Sequence, residues 1–399
     1  MSNYGSEEGK TVNRRQWLKA AGAAGIMTAL PDPLPAAPDV ASKASASMTS
    51  ASVTSARDLA TVNLSIKRLQ LRHTWTTTMS SSTYRETVHL AYSRDGITGY
   101  GEGAPIVRYE EYPAQAKLAL EAIADKIAAG DPARFDSFLA GIRRQLGEHQ
   151  HAAMAAVDIA VMDWVGKKLN VPLYEYFGLD PADAPVTTFS IGIDTPEITK
   201  QKTLEAARYP VLKVKVGLKT DEETITAIRS VTKKPLRVDA NEGWTDKDEA
   251  VRKINWLETQ GVELIEQPMP AHMFEEVKYV RRKVHLPIIA DEACTSAALI
   301  PKLKEAYDGI NVKLDKAGGI LESYRWIKMA RALDMKVMLG CMISSSCSCT
   351  AAAHLSPLVD YPDLDGNLLI SNDPYEGVKV LDGKLILPSG PGLGLKVLG

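Results

Sequence analysis

The sequence predicts an α/β protein in two folded parts, an α+β unit followed by a parallel (β/α) barrel. Three observations carry this. From about Val186 onward, short β-branched runs alternate with amphipathic helical stretches, the beat of repeated βαβ units. Those runs end in polar residues at nearly regular intervals. The stretch before them lacks that beat and reads as strands followed by helices. The composition is that of a globular chain, with 45% apolar and 24% charged residues in 399. With 47 basic against 49 acidic side chains, it lacks the basic footprint of a nucleic-acid binder. No run approaches the ~18–20 apolar residues of a membrane span.

Residues 1–60 read as an address and a linker. Asn13-Arg14-Arg15-Gln16-Trp17-Leu18-Lys19 pairs two arginines with an aromatic and a leucine, and a mild apolar run from Ala20 to Leu30 follows. That is the pattern of a Tat export signal and predicts a periplasmic protein. From Pro31 to about Ala60 the chain is Pro, Ala, Ser and Thr, which cannot offset its ordering entropy by burial and predicts a disordered linker.

Residues 61–185 form the α+β unit. Thr87–Tyr92 and Ile97–Gly101 are expected as a hairpin through Arg94-Asp95-Gly96, because Asp-Gly suits the positive φ angles of a tight turn. Helical patterns follow at Pro113–Ala129, Phe135–Leu146 and Gln150–Lys168. The barrel occupies residues 186–372, with strands expected at Thr187–Ile193, Val211–Val216, Leu236–Ala240, Leu264–Glu266, Ile288–Asp291, Gly309–Leu314 and Lys336–Cys341. Residues 373–399 are rich in Gly and Pro and are expected to return to the first unit. The four cysteines, Cys294, Cys341, Cys347 and Cys349, make no disulfide framework and read as buried free thiols.

In a barrel of this kind the reacting groups stand at the C-terminal ends of strands. Here those ends carry Lys213-Val-Lys215, Asp239-Ala-Asn241, Glu266-Gln-Pro268, Asp291-Glu292 and Asn311-Val-Lys313. Counted from Lys215, the intervals to Asp239, Glu266, Asp291 and Lys313 are 24, 27, 25 and 22 residues, one polar group per βα unit. A single strand-end Asp is commonly a cap on the next helix. Three carboxylates from successive strands instead make an oxygen-rich site suited to Mg²⁺, and no His or Cys cluster argues for Zn²⁺. The lysines flank that cluster. A lysine must fall from its free pKa of ~10.4 to about 7–8 to serve as a base, and a metal or a second ammonium group is expected to lower it.

These motifs resemble those of the enolase superfamily, in its muconate-lactonizing-enzyme-like subgroup. The likeness includes Gly99-Tyr-Gly-Glu-Gly-Ala-Pro105, Ala156 through Lys167, and the run Asn311 to Gly319. It covers the chain from about Val62 onward. The resemblance implies an N-terminal α+β capping domain plus a (β/α)7β TIM-like barrel, with Mg²⁺ on Asp239, Glu266 and Asp291. It also implies that Lys215 and Lys313 stand on opposite faces of a substrate α-carbon, one removing its proton and the other returning it through an enediolate. Lys213 would lie beside the substrate carboxylate.

Asp363-Leu-Asp365 near the eighth strand resembles the pair that holds the substrate ammonium in dipeptide epimerases, so a dipeptide is the substrate implied. Ala-Glu epimerases usually present an arginine in a mobile capping-domain loop; here that loop, Thr76–Tyr84, has a serine at its place. Cys341-Met-Ile-Ser344 is neutral where many relatives are acidic. Met79 and Ile343 would suit a neutral or hydrophobic dipeptide. The rivals that share the two lysines are o-succinylbenzoate synthase, N-succinylamino-acid racemase and muconate cycloisomerase. A rival of another class is an exported binding protein without catalysis. An exported enzyme would meet peptides released from peptidoglycan or protein, and barrels of this group are often homo-oligomers.

Overall fold

In the computed structural model, residues 59–78 and 81–398 are described. The export signal, most of the linker and Met79 lie outside them.

The α+β unit opens with an antiparallel sheet of β1 (Thr61–Thr76), β2 (Ser81–Arg94) and β3 (Ile97–Gly103), in that order. The expected turn is present: Arg94 pairs with Ile97, and Asp95 and Gly96 take φ of 52° and 73°. The helix His151–Leu169 lies against this sheet and is buried from Ala152 to Gly166. Its approach to β3 is close enough to exclude any side chain there. A Cβ on Gly101 would stand 1.9 Å from Ala156 O, and one on Gly103 would stand 1.9 Å from Ala152 O. The helix expected over Pro113–Ala129 is broken into Pro113–Glu121 and Ala124–Ala129, because Ile123 leaves helical dihedrals at φ −121°, ψ 13°.

The barrel strands are β4 (Phe189–Ile191), β5 (Leu212–Lys215), β6 (Leu236–Asp239), β7 (Val262–Glu266), β8 (Ile288–Ala290), β9 (Gly309–Val312), β10 (Lys336–Gly340) and β11 (Tyr361–Asp363). They form one parallel ladder in sequence order, with a helix between each pair. This is the (β/α)7β arrangement. Several strands are shorter than their apolar runs. Lys313, expected inside a strand, already caps the one-turn helix Leu314–Ala317. Thr187 and Thr188 precede β4, and their side chains serve the seam between the end strands. At that seam Leu364 N donates to Thr187 Oγ1 at 2.8 Å, and Ser190 N donates to Asp365 Oδ2 at 2.6 Å.

Buried carboxylates hold the α+β unit to the barrel. Asp158 accepts from Ile320 N at 2.6 Å, at the start of the barrel helix Ile320–Ala332. Glu102 accepts from Ser345 N at 2.9 Å and Ser348 N at 3.0 Å, at the start of the helix Ser346–Ala353. Both helices follow barrel strands, β9 and β10, and a carboxylate at a helix N-terminus satisfies free N–H groups and the helix dipole together. In return Ala104 N donates to Asp315 at 2.7 Å. The unit is thereby fixed over the face that carries the polar strand ends. The C-terminal segment crosses back: Gly392 N donates to Val171 O and Leu173 N to Gly392 O, both at 2.9 Å. It also forms β12 (Tyr375–Glu376), the hairpin β13 (Lys379–Leu381) and β14 (Lys384–Ile386), and β15 (Lys396–Val397), which pairs with β12.

Strand β1 reaches the same face. Its pairing with β2 slips between Gln70 and Trp75. In that gap Leu71 bridges to Ile370, and Arg72 Nε donates to Leu368 O at 3.1 Å. Farther on, Ile193 N donates to Thr76 O at 3.1 Å and Thr78 Oγ1 to Asn241 O at 3.0 Å. The end of β1 and Thr78 after it are therefore held at the barrel mouth.

Candidate active site

The ladder places the strand-end residues side by side. Lys215, Asp239 and Glu266 are the last residues of β5, β6 and β7 and are paired in register. Asp291 follows β8 and Lys313 follows β9. Asp239, Glu266 and Asp291 are buried, and one oxygen from each lies within 4.8 Å of the others. This is the one group among the described residues with metal-ligand spacing of this kind.

The lysines touch these carboxylates directly. Lys215 Nζ lies 2.6 Å from Asp239 Oδ2, and Lys313 Nζ lies 2.6 Å from Asp291 Oδ2. The two thus stand at opposite ends of the carboxylate row. Lys213 Nζ is central: it lies 2.6 Å from Glu266 Oε2, 2.7 Å from Asp363 Oδ2 and 3.1 Å from Asp239 Oδ2. Lys316, which sequence reasoning left out of the site, bonds Asp291 Oδ1 at 2.5 Å and the carbonyls of Asp291 and Asn311. Its signal was a position one turn beyond Lys313. Asn311 Nδ2 donates to Glu266 Oε1 at 2.7 Å, which orients that carboxylate. Gln267 Oε1 accepts from Asp291 N at 2.9 Å and Ala293 N at 3.1 Å, which fixes the loop bearing Asp291.

The carboxylates dominate the electrostatics at Lys213 and Lys313. Mutual repulsion was expected to lower one of Lys213 and Lys215. Burial does press Lys213 down, but Asp363, Glu266 and Asp239 outweigh it and hold the ammonium well above its ordinary value. Lys313 is raised likewise, by Asp291 and Glu266 against burial. Among the carboxylates, burial pushes up Glu266, helped by Asp239, and Glu292, helped by Asp291. Burial also opposes ionisation of Asp291, but Lys313 and Lys316 hold it well below the usual range.

The charge count explains this pattern and tests the metal. The buried carboxylates Asp239, Glu266, Asp291, Glu292, Asp363 and Asp365 outnumber the buried ammonium groups Lys213, Lys215, Lys313 and Lys316, an excess of negative charge. A divalent cation offsets that excess, and an all-oxygen donor set with a neighbouring amide suits Mg²⁺. The residues present fit the ion.

The Asp363–Asp365 pair stands at the end of β11, joined to the carboxylate cluster through Lys213. Asp363 ends β11 and bonds Thr188 Oγ1 and Lys213; Asp365 accepts from Ser190 N. Burial raises Asp365, with Asp363 adding to it, while Lys213 holds Asp363 below its ordinary value. Sequence reasoning missed Thr188 and Ser190, which precede the pair by 175 residues and carry no motif. Ile343 lines a cavity of about 340 Å³ whose wall is mixed, with Trp75, Ile191 and Leu368 beside the charged Lys202, Glu205 and Arg208. Arg72 lines the same cavity, with its Nε donating to Leu368 O at 3.1 Å.

Residues 60–178 match the mandelate racemase / muconate lactonizing enzyme N-terminal domain, and residues 198–398 match the enolase C-terminal domain-like family. The L-Ala-D/L-Glu epimerase of Bacteroides thetaiotaomicron is 42% identical over 314 residues, 78% of this chain and 82% of that protein. The substrate-liganded L-Ala-D/L-Glu epimerase from Bacillus subtilis superposes with a TM-score of 0.79 at 28% identity, over 85% of this chain and 98% of that one. The dipeptide epimerase from Enterococcus faecalis V583, solved with Mg and L-Leu-L-Tyr, gives 0.79 at 30% identity, over 84% and 98%.

Proposed function

The chain belongs to the mandelate racemase / muconate lactonizing enzyme family of the enolase superfamily, and from that premise we propose that it is a Mg²⁺-dependent dipeptide epimerase. The observation that carries the reading is the placement of Lys215 and Lys313 at opposite ends of the row Asp239, Glu266, Asp291. Bound to those three carboxylates, Mg²⁺ supplies positive charge that offsets the charge gathering on a substrate carboxylate as the adjacent carbon loses its proton.

The chain's own groups do the rest. A cation held by Asp239, Glu266 and Asp291 would offset the carboxylate charge that raises Lys313; with substrate bound, whichever of Lys215 and Lys313 is neutral takes the α-proton of the C-terminal residue, and the C–H electron pair passes into the carboxylate, giving the enediolate. The other lysine returns a proton to the opposite face, and the stereocentre is inverted with no redox cofactor. Lys213, held among Glu266, Asp239 and Asp363, places a fixed positive charge beside the substrate carboxylate. Asp363 and Asp365 take the dipeptide's ammonium group, which o-succinylbenzoate and N-succinyl amino acids lack. Both L-Ala-D/L-Glu and neutral dipeptides remain within this reading: the cavity at Ile343 offers the apolar Trp75, Ile191 and Leu368 together with the cations Arg72, Lys202 and Arg208.

Export by the Tat pathway, with action in the periplasm and assembly as a homo-oligomer, belongs to the same proposal. A reporter fused to residues 1–60 and the mass in solution test those two parts. The activity is tested by incubating purified protein with Mg²⁺ and a dipeptide library in D₂O, read by mass spectrometry. Deuterium gain at the α-carbon of a subset is expected. Absence of gain in every dipeptide returns succinylated amino acids and cycloisomerase substrates to the front. Binding without exchange supports the non-catalytic rival.

A further inference from the structure

The turn Asp363-Leu364-Asp365-Gly366 is gripped from two sides. On the β4 side Thr187 Oγ1, Thr188 Oγ1 and Ser190 N bond Leu364 N, Asp363 Oδ1 and Asp365 Oδ2. On the β10 side Gly340 pairs with Asp363 in the ladder, and one side-chain atom reaches both ends of the turn. Cys341 Sγ donates to Asp363 O at 3.4 Å and accepts from Gly366 N at 3.3 Å. The thiol follows β10 directly and spans both ends of the turn, as donor at one and acceptor at the other. Gly366 is pressed against the same chain: a Cβ there would stand 2.4 Å from Met342 O and 3.1 Å from Cys341 Sγ. Of the four cysteines Cys341 is the one not fully buried.

We propose that Cys341 is a positioning residue for the substrate-ammonium pair Asp363 and Asp365. This rests on the dipeptide reading above. Each sulfur hydrogen bond is weak, but together they fix the two backbone points between which both carboxylates are aimed. Alanine supplies neither bond. Serine supplies both functions with a shorter reach.

The test compares wild type, Cys341→Ala and Cys341→Ser as full-length Mg²⁺-loaded enzymes. KM and kcat are measured for a free dipeptide that the wild type epimerises, and Ki for the same dipeptide N-acetylated, which has no ammonium. The expected result for Cys341→Ala is a KM raised about tenfold, the equivalent of a hydrogen-bond pair, with kcat within about threefold and the N-acetyl Ki unchanged. Cys341→Ser is expected to recover most of the KM. An unchanged KM, or a KM and N-acetyl Ki that rise together, overturns the proposal, since general loss of packing does not distinguish the two ligands.

Should Cys341→Ala fail to fold, methyl methanethiosulfonate on the wild type reads the same point. The thiolate attacks the reagent's sulfenyl sulfur, the new S–S bond forms, methanesulfinate leaves, and the thiol proton goes to solvent. Peptide mass spectrometry locates the label. Modification at Cys341 is expected to raise the dipeptide KM and to be blocked by saturating dipeptide; modification there with KM unchanged overturns the proposal. A wild type inert toward free dipeptides yet active on N-acyl substrates removes the underlying reading, and this inference with it.

Discussion

Lys213 Nζ stands 2.7 Å from Asp363 Oδ2, so the cation lodged among the metal-site carboxylates also neutralises the carboxylate assigned to the substrate's ammonium. Removing it by Lys213→Met leaves Asp239, Glu266 and Asp363 without that counter-charge in a buried site. Breaking a buried pair in this way costs about 3–5 kcal/mol. The expected outcome is a markedly lower melting temperature in EDTA. Bound cation stabilises the folded state by mass action, so Mg²⁺ is expected to raise the variant's melting temperature more than the wild type's. Melting curves with and without Mg²⁺ decide this; equal shifts in the two proteins would show that Lys213 and the ion do not share the same charge.

Lys215 and Lys313 contact different carboxylates, Asp239 and Asp291, on either side of Glu266. Two-sided chemistry makes a specific prediction. Lys215→Ala and Lys313→Ala are each expected to lose about 10²–10⁴-fold in epimerisation in both directions. Each is also expected to keep some solvent exchange for the one epimer whose proton faces the remaining lysine. NMR of the α-proton in D₂O, started from each pure epimer, reads this. Retention of exchange for both epimers by either variant would rule out the assignment of one lysine per face.

Much of the site was legible because strand periodicity and βα spacing are local. Asp239, Glu266, Asp291 and Lys313 recur once per unit, and the ladder carries that spacing directly into neighbouring positions. What escaped was set by distant chain segments. Thr188 and Ser190 meet Asp363 and Asp365 across 175 residues because the end strands of the barrel meet there. Cys341 resembled a packing thiol until the turn at Gly366 came to rest on it. The rise at Lys213 also escaped, because Asp363, Glu266 and Asp239, which outweigh its burial, come from three other strands.

The contact between β3 and the buried helix His151–Leu169 leaves no volume for a methyl group. Gly101→Ala would place its Cβ 1.9 Å from Ala156 O, a backbone atom that a rotamer change cannot move. Overpacking of this kind costs about 1–3 kcal/mol, occasionally more, and the upper end is expected here because strand and helix must separate. Urea unfolding measures it. A loss below about 0.5 kcal/mol, the ordinary range for a surface substitution, would mean that the helix can shift without strain.

His354 supplies a pH dependence that is independent of the reacting groups. Its ring is buried, with Nδ1 accepting from Tyr174 N at 3.1 Å and Nε2 3.4 Å from Leu393 O. Burial lowers it from 6.5 to about 4, with the Leu393 carbonyl opposing the shift. Below pH 6.5 the unfolded chain therefore takes up a proton that the folded protein refuses until about pH 4. The stability associated with the neutral ring is complete above pH 6.5 and is lost as pH falls toward 4. At about 1.4 kcal/mol per pKa unit, the loss between pH 7 and pH 5 is about 2 kcal/mol. His354→Asn keeps an acceptor near the position of Nδ1 but has no proton to gain. Its unfolding free energy, lower than that of the wild type at pH 7, is expected to fall less steeply with acid, so that the two curves converge by about 2 kcal/mol at pH 5. Parallel curves across that range would mean that the ring titrates alike in the folded and unfolded chain, so that burial does not hold it neutral.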